Sequence, residues 1–259
     1  MAGLGQTWSS QPYLDHVSAP AQLDAFDLAR QHTQQPIVTG TSILGVRFSG
    51  GVMLASDTLA SYGSLARFMD VRRLREVEES NAIIGASGDM ADFQYLMHQI
   101  DKVGIRESTS GDAHALSPSQ LYAYLTRVMY ARRSKVDPLW NSLVIGGVDR
   151  RSGVPFLGYV DLLGVTYESA TIATGFGMHL AQPLLRKAVE GREETLSQQE
   201  AEEILKEAMK VLFYRDARSI NRFQIATVTK EGTHISEPQS VQTQWGFAEG
   251  LRGYGPQVQ

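Results

Sequence analysis

Thr39-Gly40-Thr41-Ser42-Ile43-Leu44-Gly45-Val46-Arg47-Phe48 runs through Ser49 into Gly50-Gly51-Val52-Met53-Leu54-Ala55-Ser56-Asp57, and this stretch decides how the chain is read. Residues 41–48 read as a strand, Ser49-Gly50-Gly51 as a hairpin turn, and 51–57 as the partner strand. A threonine opens the first strand and a carboxylate closes the second. Both residue types also serve purely structural ends: a β-branched Thr suits a strand, and an Asp at a strand end satisfies backbone donors.

Working outward, Asn81-Ala82-Ile83-Ile84-Gly85-Ala86-Ser87-Gly88 reads as a buried strand ending in glycine. Met90, Phe93, Leu96, Met97, Ile100 and Val103 then repeat at helical spacing. Ser117-Pro118 opens a second helix, with a cap residue before a proline at the first helical position, and Leu121, Leu125, Val128 and Met129 form its apolar face. Strands return at 140–149, 154–161 and 164–173. Two helices follow, one lined by Met178, Ala181, Leu184, Leu185 and Ala188. The other starts at the capping box Ser197-Gln198-Gln199-Glu200 and carries Ala201, Ile204, Leu205, Ala208, Met209 and Leu212. These stripes read as core faces. A strand over 222–229 closes the body. Strands, helix pair, strands, helix pair, strand is not the alternation of a parallel sheet. It predicts an α+β fold in which two sheets pack face to face with helices outside.

Composition removes several function classes. The chain has 259 residues, of which 42% are hydrophobic. That is long and apolar enough for a substantial core. A net charge of −4, from 24 basic and 28 acidic residues, argues against nucleic acid as a partner. With no cysteine, disulfides, zinc–thiolate sites and cysteine nucleophiles are excluded. No run approaches the roughly 18 apolar residues of a membrane span, so no membrane partner is expected, and the N-terminus lacks the basic and apolar regions of a secretory signal. His16, His32, His98, His114, His179 and His234 are scattered without metal-ligand spacing, so no metal and no cofactor are expected. Gly175-Phe176-Gly177 lacks the third glycine of a nucleotide loop and reads as a strand-to-helix turn. Arg132-Arg133-Ser134-Lys135 reads as a helix end facing solvent or another subunit.

The order Gly-Thr, strand, glycine turn, strand, Asp resembles the opening of β-type proteasome subunits. The resemblance covers the body from Thr39 to about Thr229. The strings Gln34-Gln35-Pro36-Ile37-Val38-Thr39-Gly40-Thr41, Gly63-Ser64-Leu65-Ala66-Arg67-Phe68, Arg132-Arg133-Ser134-Lys135 with Pro138-Leu139-Trp140-Asn141, and Tyr214-Arg215-Asp216-Ala217-Arg218-Ser219 narrow it to the seventh β position of the eukaryotic ring. The resemblance implies the N-terminal-nucleophile hydrolase fold, a four-layer αββα sandwich of two antiparallel sheets flanked by helix pairs.

In active subunits of this family a Thr is freed by self-cleavage at Gly-Thr, and its own amine serves as base. The resemblance places Thr41 at that nucleophile, Asp57 at the first Asp, and Asp216 and Ser219 at the second Asp and its partner Ser. Three departures stand against this. Arg73 stands where active members keep Lys, and an arginine cannot act as a base near neutrality. Phe176 stands where they keep Ser. Thr58-Leu59 replaces the usual Ser-Arg after Asp57. The expectation is a subunit that keeps the fold and carries no working catalytic residue: a non-catalytic structural β subunit of the 20S core. The alternatives are an active N-terminal threonine endopeptidase that tolerates Arg73, and a free-standing binding protein on the same fold. Taken alone, Asp216 between Arg215 and Arg218 reads as an ion-pair partner.

Three segments are expected. Residues 1–32 form a leader of flexible-terminus composition, with a helical turn or two over 19–29; residues 33–237 form the β-subunit domain; residues 238–259 form a C-terminal docking tail. The resemblance implies leader cleavage between His32 and Thr33. Trp245, Phe247, Leu251 and Tyr254 make the tail richer in large apolar groups than a solvated terminus. About 20 extended residues reach on the order of 60 Å. The resemblance further implies other α and β subunits in stacked seven-membered rings as partners, contact with the opposite β ring through the tail, and a place in cytoplasm and nucleus.

Overall fold

The computed structural model describes residues 35–109 and 115–248. Its central hairpin is the one read from the sequence. Strands β2 (Ile43–Phe48) and β3 (Gly51–Asp57) pair antiparallel, with Phe48 opposite Gly51 and Ile43 opposite Ser56. They are the second and third strands of a five-stranded sheet. Its order is β11 (Thr171–Ala173), β2, β3, β12 (Phe223–Thr229) and β13 (Gly232–Ile235).

The second sheet has eight strands. Its main path is β10 (Thr166–Glu168), β9 (Pro155–Val160), β8 (Asn141–Val148), β7 (Ala82–Asp89), β1 (Val38–Gly40), β4 (Ala60–Tyr62) and β5 (Leu65–Phe68). Strand β6 (Leu74–Val77) pairs with β7 off that path.

The central strands of both sheets are covered on both faces, which explains their long apolar runs. On β2 and β3, Ile43, Val52 and Leu54 face the other sheet, meeting Ile83 and Val144 in a core between the sheets. Leu44, Val46, Met53 and Ala55 point the opposite way, into a core shared with the helices. This is the period-two alternation of a strand with two buried faces. Each of the larger side chains contributes roughly 1.5–3 kcal/mol on removal from water. The eight-stranded sheet does the same: Ala82, Ile84, Leu143 and Ile145 face helices, while Ile83 and Val144 face the other sheet.

Helices α1 (Met90–Thr109) and α2 (Pro118–Ser134) cover the eight-stranded sheet through Phe93, Leu96, Ile100, Leu121, Leu125 and Met129. Helices α3 (Gly177–Leu180), α4 (Gln182–Val189) and α5 (Gln198–Arg215) cover the five-stranded sheet. The result is the expected αββα sandwich. The capping box at Ser197 and Glu200 forms as read, and Ser117 makes a second one with Gln120.

Two expected elements come out divided. The strand read over 164–173 is two: β10 belongs to the large sheet and β11 to the small one, the chain crossing between them at Ser169-Ala170. The helix read from Met178 is broken between α3 and α4 beside Pro183, which has no N–H to continue the ladder. The expected helical turn at 19–29 lies outside the described residues.

Candidate functional site

Thr41 sits in the short gap between β1 and β2, where the chain passes from the large sheet to the small one. The residues before it are part of the fold. Thr39 pairs with Asp89 and Gly40 with Gly88 on β7, while Val38 and Thr39 pair with Tyr62 and Ser61 on β4. Strand β1 therefore fills a slot between β4 and β7, and it is what joins the β4–β5 hairpin to the rest of the sheet.

Asp57 reaches the site as the last residue of β3, and Arg73 comes from the loop before β6. Their side chains are 1% and 0% exposed and form an ion pair between Arg73 Nη1 and Asp57 Oδ1. The other Asp57 oxygen accepts from the Ile220 N–H at 3.2 Å. Arg73 Nη2 donates to the carbonyls of Thr41, Ser42 (3.1 Å) and Ala86 (3.3 Å). One guanidinium thus ties the start of β2 to β7 and to the end of β3. A planar fork suits this; a lysine ammonium, a point charge, does not serve so many acceptors in one plane. Burial pushes the Asp57 carboxyl up to about 6, against the pull of the Arg73 charge and the Ile220 N–H. Burial also lowers the Arg73 guanidinium, against the charge of Asp57.

Gly40 is required by the same packing. A β-carbon there would lie 2.7 Å from Arg73 Cζ and closer still to Nε. The guanidinium lies against the backbone immediately before Thr41. Gly88, opposite Gly40, has φ +91° and a backbone so close to the Trp140 carbonyl that no side chain fits.

Thr41 Oγ1 donates to Asp216 Oδ2 at 2.6 Å. Asp216 is the C-cap of α5, and its other oxygen accepts from the Arg218 N–H at 2.9 Å. Its partners are thus a hydroxyl and a backbone amide. Arg215, its sequence neighbour, lies instead over the Phe247 ring at 5.6 Å. Ser219 is not brought to Thr41: its hydroxyl donates to the carbonyls of Leu212 (3.1 Å) and Asp216 (2.8 Å) at the end of α5. Phe176 lies between Gly175, which packs against the backbone of Thr41 and Ser42, and Gly177, whose N–H donates to Ser42 Oγ. Its side chain is 46% exposed and packs edge-on against His179 at 6.2 Å.

Several residues that hold the site carried no sequence signal. Ser42 Oγ accepts from the Gly177 N–H at 2.8 Å, fixing the start of α3 against β2. Thr174 Oγ1 accepts from the Ile43 N–H and from Ser87 Oγ, both at 2.8 Å. Each is a small hydroxyl whose role depends on a partner far away along the chain. A cavity of about 300 Å³ opens beside Thr41, lined by Gly40, Ser87, Trp140, Asn141 and Arg218 among others. Among the described residues no group of His, Asp and Glu is placed to hold a metal ion, and no helix is long and apolar enough to cross a membrane.

The tail begins as an extension of the body. Phe223 and Gln239 exchange both backbone hydrogen bonds, and Asn221 grips Val241 through its side-chain amide. Tyr214 on α5 then accepts from the Gln244 N–H at 2.8 Å, and the Trp245 and Phe247 rings meet Tyr214 edge-on at 5.1 and 5.3 Å. Leu251 and Tyr254, like His32 and Thr33, lie outside the described residues.

Two antiparallel sheets between helix layers, with a threonine at the head of a central strand beside buried and half-buried carboxylates, define the N-terminal-nucleophile hydrolase type of domain. The family model described as Proteasome subunit matches residues 37–228. The chain is 54% identical over 239 residues to Proteasome subunit beta type-4 of Xenopus laevis, covering 92% of this chain and 97% of that protein. It is 51% identical over 236 residues to Probable proteasome subunit beta type-7 of Schizosaccharomyces pombe, covering 91% and 90%. It is 40% identical over 228 residues to Proteasome subunit beta type-4 of Arabidopsis thaliana, covering 87% and 90%. The chain belongs to the proteasome subunit family.

Proposed function

We propose that this chain is a non-catalytic structural β subunit of the 20S proteasome core, supporting assembly of the complex that degrades ubiquitinated proteins. One observation carries the reading. The lysine position is taken by an arginine whose guanidinium is spent on Asp57 and on the backbone carbonyls around Thr41. The segment before Thr41 is built into the sheet between β4 and β7. An arginine there is a structural tie and not a proton acceptor.

The partners are other α and β subunits in stacked seven-membered rings, with the tail contacting the opposite β ring, in cytoplasm and nucleus. A leader that this Thr does not remove is trimmed by a neighbouring active subunit, between His32 and Thr33. Replacing the native chain by Thr41→Ala tests the reading. Peptidase activities of the purified particle stay near normal; selective loss of one activity in a fully assembled particle overturns it. Labelling of Thr41 by a threonine-directed electrophile would favour the active-endopeptidase reading instead.

A further inference from the structure

Asp89 ends β7 and makes two separate sets of bonds. Its Oδ1 accepts from the N–H groups of Ala91 (2.8 Å) and Asp92 (3.1 Å), capping the first turn of α1. Its Oδ2 accepts from the Ile37 N–H at 2.8 Å. Asp89 is itself buried while Ile37 is half exposed, so the bond is partly shielded from water. Its backbone is fixed by the Trp140 carbonyl and by Asn141, which donates to the Asp89 carbonyl at 2.8 Å. Ile37 is thereby held at the point where the chain enters β1.

We propose that Asp89 is a latch that holds residues 37–40 in the sheet and sets the limit to which proteases shorten this chain from its N-terminus, upstream of Ile37. The proposal rests on the subunit reading above and adds a determinant to it. A protease binds its substrate as an extended strand, with backbone groups on both sides of the scissile bond free to pair. From Val38 onward those groups are engaged by β4 and β7, and at Ile37 the N–H is engaged by Asp89. Cleavage within 37–40 therefore requires local opening of β1. A cut between His32 and Thr33 leaves Thr33-Gln34-Gln35-Pro36 to occupy the far side of a protease cleft, and the next residue is the latched one. The limit has a structural consequence, because β1 is the strand that joins the β4–β5 hairpin to the sheet. Trimming past it would free that hairpin and expose the Thr41 nitrogen.

The test uses Asp89→Asn in the full chain, assembled into particles. Asparagine keeps a carbonyl oxygen for Ala91 and Asp92 but turns an amide N–H₂ toward the Ile37 N–H, donor against donor. Ile37→Pro removes the same bond from the other side and leaves the helix cap untouched. After a fixed protease challenge, intact mass should show the wild-type chain still starting upstream of Ile37, and both variants with new forms starting at or beyond it. Hydrogen exchange at the Val38 and Gly40 amides should quicken by about tenfold in both, as expected for loss of one partly buried hydrogen bond. Variants that keep the wild-type N-terminus and exchange rates overturn the latch, as does a wild-type chain trimmed past Ile37. If one variant fails to fold, the other decides. If the chain is absent from the particle, the subunit reading fails, and the same challenge on the purified full chain still tests the latch.

Discussion

Arg73 donates to the carboxylate of Asp57 in a pair from which water is excluded, and the same guanidinium donates to the carbonyl of Thr41. The interaction links the place where a nucleophile would stand to the strand end that would orient it. Such a pair gains little over an apolar filling of the same volume, but removing one partner strands the other charge in the interior. Its contribution here is geometric. It holds the backbone at Thr41, Ser42 and Ala86 in one arrangement.

Arg73→Met therefore destabilises the fold by roughly 3–5 kcal/mol near neutral pH, because Asp57 is left buried without its cation. The effect depends on pH with a definite sign. The folded carboxyl already stands at about 6, above its ordinary 3.8, and loss of the Arg73 charge moves it higher. A raised carboxyl favours folding most below its unfolded pKa, and that contribution is lost as pH rises through the folded pKa. The gap in melting temperature between variant and wild type is expected to close as pH falls below about 6 and to widen as pH rises above it. Thermal melts across that range measure it, and a gap that is constant or widens toward acid would contradict the account.

Arg73→Lys does not create a threonine protease. A lysine keeps a positive charge beside Thr41, but the segment before Thr41 stays paired between β4 and β7. The particle carrying this variant is expected to show no labelling of Thr41 by a threonine-directed electrophile. Its chain should still begin upstream of Ile37 by intact mass. A label on Thr41 with a new N-terminus at that residue would show that Arg73 alone is what silences the site.

The hairpin at 43–57, the β7 strand and the capped helices are legible because their signals are local: alternation, a turn glycine, a capping serine; Thr41, Asp57, Arg73 and Asp216 are singled out by the family resemblance and not by any local pattern. Strands β1, β4, β5, β6 and β13 are not legible, being short and ordered by pairing rather than by pattern. Strand β5 is exposed throughout and carries no alternation to read. Ser219 and Phe176 match family positions in order along the chain, yet their side chains are directed by the end of α5 and by the turn into α3. Position in a motif does not fix where a side chain points. The second role of Asp89 has no sequence signal, because a carboxylate before a helix is explained by its cap alone and the bond to Ile37 spans 52 residues.

Gly40→Ala tests how closely Arg73 is packed against the segment before Thr41. The added methyl would meet the guanidinium at 2.7 Å from Cζ, so either the ion pair or β1 must shift. Overpacking of this kind costs about 1–3 kcal/mol. A fall in melting temperature is expected, together with faster hydrogen exchange along β1. Combining it with Arg73→Met should recover part of the loss, since the two changes share one contact. Strict additivity of the two effects would show that the clash is relieved elsewhere.

The aromatic tail makes a different demand. The sequence predicts that Trp245 and Phe247 dock on another subunit, and the structure packs each against Tyr214 of the chain's own α5 while leaving them 41% and 52% exposed. The tail is thus rooted at the end of α5, next to the Asp216 that binds Thr41. Deleting 249–259 should raise the ratio of half to full particles on a native gel while the subunit itself still assembles into half particles. Tyr214→Ala removes the Gln244 anchor and the platform for both rings. It should produce a weaker version of the same defect by letting the tail leave along the wrong direction. If the deletion leaves the ratio unchanged, the tail does not clamp the rings. If the deletion raises it but Tyr214→Ala does not, the tail docks without needing its aromatic root.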